Sequence, residues 1–336
     1  MIETEFRGIS SFSIENEQLR VTVTRNGGQI AEIFHKSTGV SPLWVPPWPS
    51  LDVDDWRDSS GSIYGEDADS RLLASVMGHF VCLDTFGMPS AEEICAGGCC
   101  HGEAPLAIAQ VKGSDAQLTC ICDLPAAQLR FKRKIALSPS GAALLITETV
   151  ENLSACDRAI AWTQHVTVGP SFLERGVTEF QIPDVRSMDA NGRERPPEHS
   201  STFTSAARSG GFVTHLIDPS REQGYFLSFS PRTRTLFGYV WRRLDFPWIG
   251  VWEENRQRMQ RPWNGEVLAR GMEFGVSPFP EPRRKMIERQ QLFGTPCYRW
   301  VAAKSLVNVE YCAFVKDATT MPHDVAWDGL WGVDLW

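Results

Sequence analysis

Apolar and polar side chains alternate with a period of two along most of this chain, the spacing of strands that bury one face. In residues 12–24 the alternation brackets a turn at Glu15-Asn16-Glu17 and puts Leu19, Val21 and Val23 on one face. Gly27-Gly28 breaks the chain before residues 30–35, which open a hairpin. The pattern predicts further strands over 105–111, 117–124, 127–136, 142–151 and 158–166. In the second half it predicts strands over 211–217, 224–230, 235–241, 247–253, 266–276 and 300–315. Three segments interrupt it. Pro46, Pro47 and Pro49 interleave with Trp44 and Trp48, which makes 43–50 an ordered loop. Residues 52–69 are an acidic connection, and 184–209 a polar excursion containing Asn191-Gly192 and Pro196-Pro197. One helix is predicted, over 282–293, opened by proline and closed by Gly294. Closely spaced strands, almost no helix and no internal repeat predict an all-β protein. The expected architecture is one large antiparallel β-sandwich over residues 1–336, with the last tryptophans packed back on its body.

Composition narrows the function. The chain has 336 residues, long enough for a large core, and its 42% hydrophobic and 22% charged content is that of a globular protein. A net charge of −8 without a basic run argues against nucleic acid or an anionic membrane as partner. No window reaches the roughly 18 apolar residues of a spanning helix. The first eleven residues are acidic and polar, unlike a secretory leader. The nine cysteines are odd in number and lack disulfide-module spacing, so free thiols in a cytoplasmic setting are expected. Twelve tryptophans and 18 phenylalanines are enough to line a sugar-sized site. The oligomeric state is not legible.

Two strands carry candidate chemistry. If 159–165 is extended, Ile160, Trp162 and Gln164 share one face, and Ala159, Ala161, Thr163 and His165 the other. His165 then stands among small residues, just before a Gly169-Pro170 break. In 266–276, Val267, Ala269, Gly271, Glu273 and Gly275 share a face, so Glu273 has the same setting. The run Cys99-Cys100-His101 invites a zinc reading, but adjacent cysteines rarely reach one tetrahedral metal and no second ligand pair lies nearby; no metal is expected. Cys120 and Cys122 share a strand face as packing residues.

The run Gly78-His79-Phe80-Val81-Cys82-Leu83-Asp84-Thr85-Phe86-Gly87, followed by His101-Gly102-Glu103-Ala104, resembles the aldose 1-epimerase (galactose mutarotase-like) superfamily. Asn152, His165 and Phe172 match its next landmarks, and Glu273 before Pro278 matches its late glutamate. Leu19–Val23, Gly27-Gly28 and Leu43-Trp44 match its opening hairpins, so the similarity runs in order over nearly the whole chain. The resemblance implies a β-supersandwich and cofactor-free interconversion of the α and β anomers of a small sugar. Glu273 would be the general base, His165 the general acid, and His101 would steady the ring oxygen or a neighbouring hydroxyl. Trp248, Trp252 and Asn255 fall where the family has a strand near the substrate, and His79 and Arg71 precede the His-Gly motif; these five are the expected binding residues.

The chain departs from the family pattern in two places. Val166-Thr167-Val168-Gly169-Pro170 replaces the usual continuation after the second histidine, and Ser75-Val76-Met77 stand where an arginine is common. No Lys or Arg occurs between Arg71 and Lys112, which favours a sugar without phosphate. Two other classes fit the same fold: a carbohydrate-binding protein without catalysis, and a glycosidase or lyase domain. The latter needs a second carboxylate, for which Glu103 is the nearest candidate.

Overall fold

Two antiparallel sheets lie face to face, and the alternation of each strand decides which side chains fill the space between them. The structure is a computed structural model, describing residues 1–57, 61–65 and 68–336. The larger sheet begins with Ile2–Phe6, Ile9–Glu15, Leu19–Thr24 and Ile30–His35. Its centre is His79–Asp84, Arg158–Val168 and Leu268–Gly275, and it ends with Trp248–Asn255, Ser209–Ile217, Asp184–Asp189 and Glu194–Arg195. The smaller sheet runs from Ser200–Thr202 and Glu179–Gln181 through Gln223–Ser230, Thr235–Arg242 and Leu306–Asp317. Ala143–Asn152, Leu129–Leu137, Gln117–Leu124 and Gln110–Gly113 complete it. The all-β antiparallel sandwich expected from the pattern is the observed fold.

Between the sheets, Trp162, Val166 and Phe274 from the larger meet Phe131, Ile146, Tyr239 and Tyr311 from the smaller, all buried. At the middle of this apolar layer lies a polar cluster. Arg133 and Glu148, both without solvent exposure, form an ion pair of 2.8 Å. Glu148 also accepts hydrogen bonds from Trp162 Nε1 at 2.9 Å, Gln164 Nε2 at 2.6 Å and the Tyr311 hydroxyl at 2.7 Å. Arg133 donates to the Gly28 carbonyl and to Gln164 Oε1, at 3.1 Å each. These bonds span both sheets, so the cluster ties the Arg158–Val168 strand from behind. Its even-numbered side chains face the core; its odd-numbered ones, His165 included, face the other way.

Local departures from the pattern have local causes. The helix covers Arg283–Arg289 only, because Gln290 takes a left-handed backbone (φ 57°) and the following Gln291–Leu292 pairs with Thr295–Pro296. Strand 105–111 begins late, at Gln110, since Pro105 sits in the 3-10 turn Ala104–Leu106. A turn with Lys304 at φ 54° splits 300–315 into Arg299–Val301 and Leu306–Asp317. The polar excursion holds the strands Asp184–Asp189, Glu194–Arg195 and Ser200–Thr202. The acidic connection contains the short helical turns Val53–Asp55 and Gly61–Tyr64, and the rest of it, at 58–60 and 66–67, lies outside the described residues. The C-terminal hairpin of Val325–Trp327 and Val333–Leu335 packs its apolar side on the smaller sheet.

Removing one partner of the buried pair leaves the other charge uncompensated, at a cost of about 3–5 kcal/mol. Glu148→Gln is therefore expected to lower unfolding free energy by that amount in urea titration. A loss below about 1 kcal/mol would show that the cluster does not hold the sheets together.

Candidate functional site

The Arg158–Val168 strand lies between His79–Asp84 and Leu268–Gly275, and its register places His165 opposite Phe80 on one side and Glu273 on the other. Directly paired residues of an antiparallel ladder share a face, so the three side chains stand in a row on the outer face of the larger sheet. The His165 Nε2 and Glu273 Oε1 atoms are 3.1 Å apart. The Phe80 ring stacks on the imidazole with centroids 4.3 Å apart. On the same face, two residues along, Thr167 Oγ1 lies 3.1 Å from His165 Nδ1.

His101 reaches the row from a loop. Its own backbone is left-handed (φ 60°), as is that of Gly102 (φ 79°), where a Cβ would sit 2.1 Å from the Leu83 carbonyl oxygen. Only glycine fits there, and the chain turn it allows brings the His101 ring edge-on to His165, centroids 5.3 Å apart. The Gly87 backbone N–H donates to His101 Nδ1 at 3.2 Å, and the Cys82 thiol lies 3.1 Å from the same nitrogen. A backbone N–H can only donate, so Nδ1 carries the lone pair and the ring proton resides on Nε2.

These groups line one cavity of about 450 Å³. Its walls are largely aromatic. Trp263 packs against Trp44, Trp48 and Trp252, and Gly169 permits the close approach of Trp44, because a Cβ there would lie 2.7 Å from it. Arg258 lies over the Trp252 and Trp263 rings, at 5.3 and 4.5 Å, and pairs with the buried Glu254 at 3.5 Å. Burial governs protonation here. It pushes the Glu273 carboxyl up to about 8, against a smaller opposing pull from Arg258. Desolvation drives His165 well below the usual histidine range, assisted by His101, and brings His101 down to about 4.

The structure brings His101, His165, Glu273 and Trp252 to this cavity and places the other expected residues elsewhere. His79 is one residue out of phase with Phe80, so it points into the core and hydrogen-bonds the Tyr239 hydroxyl and Gln164. Trp248 is on the outer face but is covered by the Thr295–Pro296 hairpin, whose Pro296 carbonyl accepts from its Nε1. Asn255 alternates to the opposite face and donates to the Ala206 carbonyl and Ser209. Arg71 is exposed on the short helix Ser70–Leu73, which turns Leu72 and Leu73 to the cavity instead. Glu103 is occupied by the Ala126 and Ala127 backbone N–H groups, so it is not a second carboxylate for the site. Asn152 caps a turn, and Phe172 belongs to the core. Sequence reasoning missed Phe80, Thr167, Trp44, Trp263 and Arg258. For Thr167 a signal was present, its shared parity with His165.

A carboxyl held near 8 in the fold and near 4.5 in the unfolded chain binds its proton more tightly when folded. Stability from it is therefore full below the lower value and falls as pH rises to the upper, by up to about 1.4 kcal/mol per unit. Glu273→Gln lacks this dependence. Its unfolding temperature is expected to exceed that of the parent by a margin that grows between about pH 5 and about pH 8. A margin that does not change with pH would contradict the raised affinity.

No protein-family model and no curated protein sequence matches the chain. Solved structures do. A Klebsiella pneumoniae subsp. pneumoniae protein, provisionally designated an aldose 1-epimerase, superposes with a TM-score of 0.71 at 12% identity, covering 93% of this chain and 80% of that one. A galactose mutarotase-like protein from Clostridium acetobutylicum gives 0.66 at 13% identity, over 94% and 98% of the two chains. A galactose mutarotase related enzyme from Lactobacillus acidophilus gives 0.63 at 11%, over 92% and 98%. At these identities the likeness is one of fold, and in fold this chain is a galactose mutarotase-like β-sandwich.

Proposed function

We propose that the outer-face cavity interconverts the α and β anomers of a small, unphosphorylated sugar by acid–base opening and closing of the ring. The observation that carries this reading is the cross-strand contact of His165 Nε2 with Glu273 Oε1 at 3.1 Å, with His101 edge-on beside it. Opening a pyranose requires a proton to leave the anomeric hydroxyl while another reaches the ring oxygen. Closing reverses both after the aldehyde has turned.

The pair suits a reaction that moves two protons with no net change. With Glu273 raised and His165 lowered by burial, the pair holds one proton at neutral pH, resting on the carboxyl and donated to Nε2. Nδ1–H then donates to Thr167 Oγ1. Shifting that single proton across the contact creates a carboxylate base and an imidazolium acid, and Thr167 already accepts from the imidazolium. Glu273 takes the anomeric proton and His165 supplies the ring oxygen. His101, fixed with its proton on Nε2, donates a hydrogen bond to the sugar without changing charge. Trp252 offers a stacking face.

The lining also bears on the substrate. Arg258 is the one Lys or Arg among the described lining residues, and Glu254 already pairs with it. Asp69, Glu253 and Glu254 line the same space, a poor setting for a phosphate dianion and an acceptable one for hydroxyl groups.

Polarimetry on freshly dissolved aldoses tests the reading. Glu273→Gln and His165→Asn are each expected to lower kcat/KM by at least the 10²–10⁴ that one positioned proton transfer contributes; activity surviving both would overturn it. With the parent protein, kcat/KM is expected to fall as pH rises through about 8, where the pair loses its shared proton. A rise through the same range would mean that Glu273 works as a free carboxylate and the acid lies elsewhere.

A further inference from the structure

The strands that carry the pocket have a second face, and it lines a second cavity, of about 520 Å³. Trp252 pairs with Gly271 on the pocket face, so their neighbours Glu253 and Arg270, also paired across the strands, face the other way. The Ser200–Thr202 edge strand of the smaller sheet closes the far side. The two cavities adjoin at residues 210–212 and Glu253.

Two buried polar side chains line this cavity with hydrogen-bonding capacity unused. Arg270 is 6% exposed, yet no carboxylate lies within 4.0 Å of it among the described residues. A guanidinium has five N–H donors. Here Nη2 donates to Ser201 Oγ at 2.9 Å, Nε has no partner, and the group lies 4.3 Å over the Phe180 ring. His215 is 3% exposed, and its Nδ1–H donates to Asp184 Oδ2 at 2.8 Å, which leaves Nε2 as an acceptor for the cavity. Burying a guanidinium without a paired carboxylate is unfavourable by several kcal/mol, and the more distant charges of Glu253 and Glu198 and stacking on one phenylalanine offset only part of that.

We propose that this cavity binds a small hydroxylated carboxylate of the sugar-acid type. Its carboxylate takes Arg270, and its hydroxyls donate to His215 Nε2, Glu253 and Glu198. The same acceptors set the charge class. Glu198 and Glu253, with Asp189 beside them, repel a phosphate dianion, whereas a single carboxylate completes the missing pairing of Arg270 and its hydroxyls use the acidic oxygens. The site stands on the opposite face from Glu273 and does not depend on the reaction proposed there.

Isothermal titration with D-gluconate, which has no anomeric centre, tests this. Gluconate is expected to bind the parent and Glu273→Gln equally, and at least tenfold more weakly to Arg270→Gln and to His215→Gln. Inorganic phosphate is expected not to compete. Thermal unfolding reports whether each variant is folded, and His215→Gln carries the test if Arg270→Gln is not. Three results would overturn the proposal. They are no binding to the folded parent at about 10 mM gluconate, affinity unchanged in His215→Gln and in folded Arg270→Gln, and phosphate binding as tightly as gluconate.

Discussion

The buried Glu148 carboxylate constrains the rest of this molecule. It accepts from Arg133, Trp162, Gln164 and Tyr311, four side chains on three strands drawn from both sheets. None of them can move without leaving a charge or donor unpaired in an apolar layer. Two of the four, Trp162 and Gln164, lie on the strand that carries His165. A one-residue slip of that strand would turn Gln164 to the cavity and bury His165 against Arg133. The cluster therefore fixes which face of the strand presents His165 to the cavity as well as holding the sheets together.

On the other side of the same strand, the environment works against charge. Phe80, Trp252, Trp263 and Trp44 line the cavity around the row formed by His165 and Glu273, and burial there raises one group and lowers the other. A carboxyl kept protonated near neutrality beside a neutral imidazole is a store of one mobile proton. Its hydrogen-bond partners keep it in order: Thr167 on the far nitrogen of His165, and the Gly87 N–H on His101. The residues at the centre of the proposed site thus come from three central strands and one glycine-dependent loop, rigid supports of the kind that a proton transfer requires.

The fold was legible because strand alternation is strong in most of the chain. Within the site, His165 and Glu273 were legible for the same reason: each is a titratable group on a strand face of small residues, and parity alone assigns the face. His79 was not, because every residue of His79–Asp84 is buried; a central strand buried on both faces carries no alternation to tell His79 from Phe80. Trp248 has the right parity but is covered by a hairpin that follows more than forty residues later. Arg258, Trp263 and Trp44 belong to loops whose positions depend on tertiary contacts, and no local pattern announces them. The helix ended early for a related reason, since the stop lies in the backbone of Gln290 and not in a proline or glycine.

The central claim is that the outer face of the larger sheet holds a proton-transferring sugar site. Two-dimensional exchange spectroscopy on a panel of aldoses labelled with carbon-13 at C1 tests it directly, because the α and β signals exchange only through the open chain. The account predicts that catalytic amounts of the protein raise the exchange rate for at least one neutral aldose. Saturable binding across the panel with exchange left at the uncatalysed rate would contradict it and leave a sugar-binding protein on the same fold.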